Sequence, residues 1–382
     1  MLRLIWLISS LVVLCACGGN GTAHHSTGSD ASSLSSSRST STSTSSSSSV
    51  SLSSSTNASD ASELTKKIDA YLLENQAVDL PGVSVLVVKN GKIAYSGGRG
   101  MADIPSGVAI ASNTGFRLAS VSKPFTAIAI MQLVERGELK LSDSVLDYIP
   151  ELSPSWKKIN IEHLLTHSSG IFDIFNDEWR PSFLNGLTQR SLIKYLSNHS
   201  DLEFEPGTRY DYSNTGYILL ASIIERKTGL GFPEYMQQNI FGPANMQGSY
   251  INDESQAIKY GDALNYARLR TYYGIVTYLK GSMAQVSSRD DFFHFFNAMR
   301  ENKLVSAETL QKMWSPSAVG NYGYGFYMTR NHAVHSGLWD GFQTDLSITK
   351  SQDVAYIILT NSGSVGGAHI TAIKSIISTT PF

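Results

Sequence analysis

Residues 120–135 most constrain what this chain can fold into. The run Phe125, Ala127, Ile128, Ala129, Ile130, Met131, Leu133, Val134 places apolar side chains on every side of a helix. A helix without a polar face must be covered all round, so the spacing predicts a central buried helix from about Ser120 to Glu135. Pro124 suits a first turn, where its missing N–H costs nothing, and Gly137 is placed to end the helix.

Around this helix the pattern divides. Residues 62 to about 75 read as a helix. Gly82–Val88 and Lys92–Ser96 read as strands joined by the turn pair Asn90-Gly91. From about 140 to 315 the text is helical pieces and loops, including 216–227 and 289–299. Strands return at 324–329, 333–337, 342–349 and 354–359, before a last helix over 367–377. Strands at both ends with helices between them predict an α+β fold: an antiparallel sheet built from both chain termini and flanked by helices, with an inserted mainly helical region.

The first 61 residues have another character. A charged start at Arg3 and an apolar run from Leu4 to Leu14 have the form of a secretory signal. The run closes on Leu14-Cys15-Ala16-Cys17-Gly18, which resembles a bacterial lipobox with Cys17 as the acylated residue; Cys15 would put bulky Leu14 at the cleavage position. The resemblance implies a signal peptide over 1–17, a lipid anchor in the cell envelope and, with Gly18 rather than Asp following, the outer membrane facing the periplasm. Residues 18–61 are mostly Ser, Thr and Gly. Such composition cannot bury enough surface to offset its chain entropy. It predicts a disordered tether spanning roughly 35–40 Å r.m.s., or else a glycosylated stalk. The domain then covers 62–382.

Net charge is −2 with no basic run, which argues against nucleic acid as the main partner, since phosphate binding needs concentrated positive charge. Cys15 and Cys17 are the only cysteines, so the domain itself can form no disulfide or thiolate metal site. His163 and His167 have i, i+4 spacing, but no Glu follows His163 as a zinc-protease helix requires; a structural role is expected. His332 is expected in a turn or on the surface. No metal or organic cofactor is implied.

Three short motifs carry chemistry. Ser120-Val121-Ser122-Lys123 has the form S-x-x-K, which also occurs at Ser155–Lys158, Ser191–Lys194 and Ser347–Lys350. Context selects the first. At i and i+3 on one helix face, Lys123 can reach the Ser120 hydroxyl, and burial lowers a lysine pKa toward usefulness as a base. Tyr212-Ser213-Asn214 supplies a proton relay and an amide able to bond both Lys123 and substrate; Tyr250-Ile251-Asn252 matches the pattern but lacks the preceding turn and following helix. His335-Ser336-Gly337 is the one H-x-G of the chain, expected where a strand ends. There Gly permits close approach of a ligand, and the Leu338 N–H could pair with that of Ser120 as an oxyanion hole. Lys227-Thr228-Gly229 is instead expected to cap the helix after Tyr212. Trp339 and Tyr322 either line the pocket or pack beside it.

S-x-x-K, Y-x-N and K/H-x-G in that order, with Phe116-Arg117-Leu118-Ala119 before the serine and His163-Leu164-Leu165-Thr166-His167-Ser168-Ser169-Gly170 between motifs, resemble the serine β-lactamase and penicillin-binding superfamily. The similarity covers about 62–382. It is strongest to the class C-like group, which includes esterases, D-Ala-D-Ala carboxypeptidases and D-amino-acid peptidases; Tyr212 excludes the class A pattern. The resemblance implies a serine hydrolase with Ser120, Lys123 and Tyr212 as catalytic residues. Asn214, His335, Ser336, Gly337 and Leu338 would bind substrate. The partner would be a small molecule or peptide, peptidoglycan-derived in one reading. Two departures bear on substrate. His335 stands where class C β-lactamases carry lysine, and Gly281-Ser282-Met283 stands where the family often has consecutive glycines. An imidazole mostly uncharged at neutral pH and gaining charge toward pH 6 predicts weak β-lactamase activity. It also predicts better turnover of esters or short peptides, with a substrate carboxylate helping more as pH falls. The rivals are a true class C β-lactamase and a non-catalytic lipoprotein that captures β-lactam or peptidoglycan fragments.

Overall fold

The computed structural model describes residues 62–175, 188–252, 279–339 and 341–382; the signal, lipobox and tether expectations lie outside them. The strands are β1 (Val83–Lys89), β2 (Lys92–Arg99), β3 (Met101–Asp103), β4 (Val108–Ala109), β5 (Phe116–Arg117), β6 (Tyr250–Ile251), β7 (Gln285–Ser287), β8 (Tyr327–Met328), β9 (His332–Trp339), β10 (Phe342–Thr349) and β11 (Val354–Thr360). The helices are α1 (Glu63–Asn75), α2 (Lys123–Glu135), α3 (Val145–Tyr148), α4 (Ile161–Leu165), α5 (Gln189–Leu196), α6 (Asn214–Thr228), α7 (Phe232–Met236), α8 (Arg289–Arg300), α9 (Ala307–Met313) and α10 (Gly366–Thr379).

The main sheet runs β2-β1-β11-β10-β9-β8, antiparallel throughout. β1 joins the two ends of the chain: Val83 pairs with Thr360 and Lys89 with Val354. Alternate residues of β1 serve opposite faces. Val83, Val85 and Val87 pack with Leu64, Ile68 and Leu72 of α1 and Ile373 of α10, whereas Leu86 and Val88 face the larger core that contains α2, α6 and α8. Helices cover both faces, so β1 is buried nearly end to end, which explains a hydrophobic run where a half-exposed strand would alternate.

α2 is buried at every residue from Lys123 to Leu133, as its apolar circumference demands. It begins later than the sequence suggests. Residues Ala119–Ser122 form a 3₁₀ turn, so Ser120 precedes the α-helix and Lys123 opens it. The cause is Ala119, which adopts φ +49°, a left-handed conformation that costs a non-glycine residue roughly 1–2 kcal/mol. The turn is fastened by Ser122, whose hydroxyl donates to the Ala119 carbonyl at 2.7 Å and accepts the Gln285 N–H of β7.

Other boundaries move for tertiary reasons. The expected strand 324–329 shrinks to β8 because Gly325 turns at φ +85° against the start of α2; a Cβ there would lie 2.9 Å from Pro124 Cα. β9 continues to Trp339, so the H-x-G motif lies within the strand rather than at its end. His332 opens β9, half-buried, with Nδ1 3.1 Å from the Ser347 hydroxyl. His163 and His167 do not share a helix: α4 ends at Leu165, and His167 has φ +56°.

Candidate active site

Two close approaches bring the motifs together. A Cβ on Gly337 would lie 2.3 Å from the Leu118 carbonyl and 2.4 Å from Thr344 Oγ1. Only glycine lets β9 lie against the turn that carries Ser120, and Thr344 ties the two by donating to that carbonyl at 2.8 Å. Gly281, at φ +85°, does the same against α6; its Cβ would lie 2.4 Å from the Tyr217 carbonyl. This approach delivers the next carbonyl, that of Ser282, to Lys123.

Lys123 is fully buried. Its Nζ lies 2.7 Å from Asn214 Oδ1, 3.0 Å from the Ser282 carbonyl and 3.1 Å from Ser120 Oγ. Asn214 Nδ2 donates to the Asp173 carboxylate at 2.9 Å, which turns the amide oxygen toward the lysine. Two of the three neighbours can therefore only accept. A neutral amine satisfies them with its two N–H groups and presents its lone pair to the third, the serine hydroxyl. Burial makes that state accessible: it lowers the lysine pKa to about 7, against an opposing pull from the Asp173 charge. Asp173 is itself raised by burial, although the N–H of Phe175 and the Asn214 amide hold its charge.

Tyr212 lies over this amine, with Nζ 4.8 Å from its ring centroid. Burial drives its hydroxyl well above the ordinary tyrosine range, and a hydrogen bond with Ser120 only partly offsets that. The phenol therefore stays protonated in the resting site. Its ring is wedged between Tyr327, parallel within 5°, and His167, with centroids 4.2 Å apart. His167 is buried and accepts the Ser213 N–H at Nδ1; burial first, then the Lys123 charge, lowers its pKa and holds it neutral.

His335 is buried and fully engaged. The Ser336 carbonyl, which can only accept, lies 2.7 Å from Nδ1, so that nitrogen carries the proton. Nε2 then accepts from the Tyr322 hydroxyl at 2.9 Å. Burial, reinforced by Lys123, drops its pKa to about 3. This corrects the expected gain of charge toward pH 6: the imidazole stays neutral throughout that range, and its ring nitrogens hold protein atoms rather than substrate.

Ser120, Tyr212, Asn214, His335, Ser336, Leu338 and Trp339 line one cleft of about 490 Å³, whereas Gly337 does not line it and packs against the Leu118 carbonyl. Tyr322 packs behind His335 rather than in the cleft. The decoys are elsewhere. Ser155 bonds Ser153 and the Ser200 carbonyl, Ser191 caps α5, and Ser347 meets His332. Gly229 caps α6 at φ +73°. Tyr250 belongs to β6, buried against β7. The sequence reading missed Asp173, Tyr327 and Phe175; it marked Gly281-Ser282-Met283 as a departure but gave neither the Ser282 carbonyl nor Met283 its place at the site. The signal for Asp173 was thin: one acid three residues after Gly170.

Comparison with known proteins shows the family. The Beta-lactamase family model matches residues 71–378. A Bacillus subtilis (strain 168) protein, PbpX, whose name places it among penicillin-binding proteins, is 30% identical over 300 residues, 78% of this chain and 73% of its own. A second penicillin-binding protein of that strain is 29% identical over 68% of this chain and 64% of its own, just short of two thirds. Among solved structures, an octameric penicillin-binding protein homologue from Pyrococcus abyssi superposes with TM-score 0.69 at 26% identity, covering 82% of this chain and 76% of that one. FmtA from Staphylococcus aureus shares the fold at TM-score 0.70 and 23% identity, over 83% and 87%. The family match spans most of the folded chain and contains all three motifs, and the chain belongs to the beta-lactamase family of hydrolases.

Proposed function

We propose that this protein is a serine hydrolase that forms an acyl-enzyme on Ser120 with esters or amides as substrates. The observation that carries the reading is the buried Lys123 amine, 3.1 Å from Ser120 Oγ and otherwise held by two partners that can only accept. Ser120 Oγ attacks the substrate carbonyl carbon while its proton passes to Lys123 Nζ. The N–H groups of Ser120 and Leu338 stabilise the tetrahedral oxyanion. On collapse the bond to the leaving group breaks, and the proton reaches that group from Lys123, through the Tyr212 hydroxyl where the leaving atom lies on that side. Water then attacks the ester while Lys123 takes its proton; the acyl–Oγ bond breaks, that proton returns to Ser120 Oγ, and the acid is freed. Lys123 is the resting base because Tyr212 keeps its proton. Asn214 orients the amine and offers its amide to substrate. The names of the relatives favour small-molecule or peptidoglycan-derived substrates.

Turnover separates an enzyme from a protein that captures a ligand once. With a chromogenic ester, product release continues linearly far beyond one equivalent, and the intact mass shows a transient acyl adduct on the peptide containing Ser120. Release that stops at one equivalent, with a permanent adduct, would make this a capturing protein.

We also propose that Cys17 carries a lipid anchor that holds the domain at the bacterial envelope. Cys17→Ser is expected to leave an unprocessed precursor or release the protein into the soluble periplasmic fraction. A wild-type protein with no acyl mass on Cys17 refutes the anchor.

A further inference from the structure

One wall of the cleft is apolar. Phe175 and Trp339 stand across it with ring centroids 5.1 Å apart at 54°, and Met283 and Leu338 line the same space. The two rings arrive on the segments that carry the site's polar groups. Phe175 donates its N–H to Asp173 Oδ1 at 3.0 Å. Trp339 ends the strand that Gly337 presses against the serine turn. Leu338 holds a large apolar side chain 69% exposed at the mouth.

The charges around this cleft are equally specific. Among the described residues that line it, none is lysine or arginine. Lys123 is buried behind Ser120 with its N–H groups committed. His335 has both ring nitrogens satisfied by Ser336 and Tyr322. A carboxylate brought here loses hydration and gains no cation. An apolar group gains about 25 cal/mol per Å² of surface removed from water, and an aromatic one also gains ring contacts with Phe175 and Trp339.

We propose that the cleft selects uncharged esters or amides bearing an aromatic or aliphatic group beside the scissile carbonyl, seated against Phe175 and Trp339, and discriminates against substrates with a carboxylate there. This rests on the acyl-transfer reading of Ser120.

Methyl esters test it, followed by acid release on the full chain, each rate divided by the alkaline hydrolysis rate of the same ester. At least one of methyl phenylacetate and benzyl acetate is expected to exceed methyl acetate in kcat/KM by about tenfold or more. The two arms show on which side of the carbonyl the apolar group sits. Methyl valerate is expected to exceed monomethyl glutarate by a similar factor at about pH 8.5, above the titration of Lys123. In Phe175→Ala and Trp339→Ala the aryl-to-acetate ratio falls several-fold. That ratio is measured within one preparation, so loss of folded protein cancels. Neither aryl ester preferred, a ratio unmoved in both variants, or glutarate matching valerate would each overturn the inference while leaving Ser120 chemistry intact. No fluorophosphonate labelling of Ser120 and no ester turnover would overturn both.

Discussion

Ser120→Ala is expected to abolish fluorophosphonate labelling and to lower kcat/KM by on the order of 10⁴-fold or more while the domain stays folded. The side chain is partly exposed in a 3₁₀ turn, and Lys123 keeps Asn214 and Ser282 when the serine oxygen goes. The loss is two hydrogen bonds, with Lys123 and with Tyr212, about 1 kcal/mol each, a Tm change of a few degrees in a domain of this size. Ser155→Ala, Ser191→Ala and Ser347→Ala are controls, because each bonds structure away from the cleft. Labelling of the Ser120→Ala protein at the wild-type level sinks the mechanism.

Lys123 sets the second large effect. Its amine must be neutral to take the serine proton, and its pKa lies at about 7. For a substrate with no ionisable group, kcat/KM therefore rises with pH through a limb near neutrality and falls about tenfold per unit on the acid side. Lys123→Arg places a permanent cation at the same site and is expected to cost about 10²–10⁴-fold, with no recovery at high pH. Asp173→Asn is the sharper test. The Asp173 charge raises the lysine pKa, so its removal shifts the acid limb to lower pH, whereas merely structural damage would lower the whole profile without moving it. A limb that stays put in Asp173→Asn, or activity independent of pH across neutrality, contradicts Lys123 as the base.

What could be read from sequence was local. The all-apolar α2 and the Asn90-Gly91 turn, both residues at positive φ, follow from side-chain chemistry within a few positions. The start of α2 did not, because the left-handed Ala119 is held by β7 and β9, far away in the chain. The site divides the same way. The three motifs announce themselves by residue type, whereas Asp173, the Ser282 carbonyl and Tyr327 become parts of one cleft only through packing. The state of His335 is the clearest case. The expectation of titration near pH 6 used the free imidazole, but the ring sits between the Tyr322 hydroxyl and the Ser336 carbonyl, out of water.

The pairing of β1 with β11 also bears on how the protein is made. The hairpin β1–β2 is synthesised at the start of the domain, and the strand that completes its sheet comes almost at the end. At ribosomal speeds of about 5–20 residues per second, tens of seconds separate the two. Pairings this distant in sequence are slow to form even in a finished chain. Throughout that interval α2, with no polar side to turn to water, lacks its full cover and invites chaperones or aggregation. A ribosome that stops short of residue 354 leaves a product that has Ser120, Lys123 and Tyr212 but only β2 beside β1, whose other edge stays unpaired. Strand β11 thus decides whether a site translated long before it has a complete sheet to rest on.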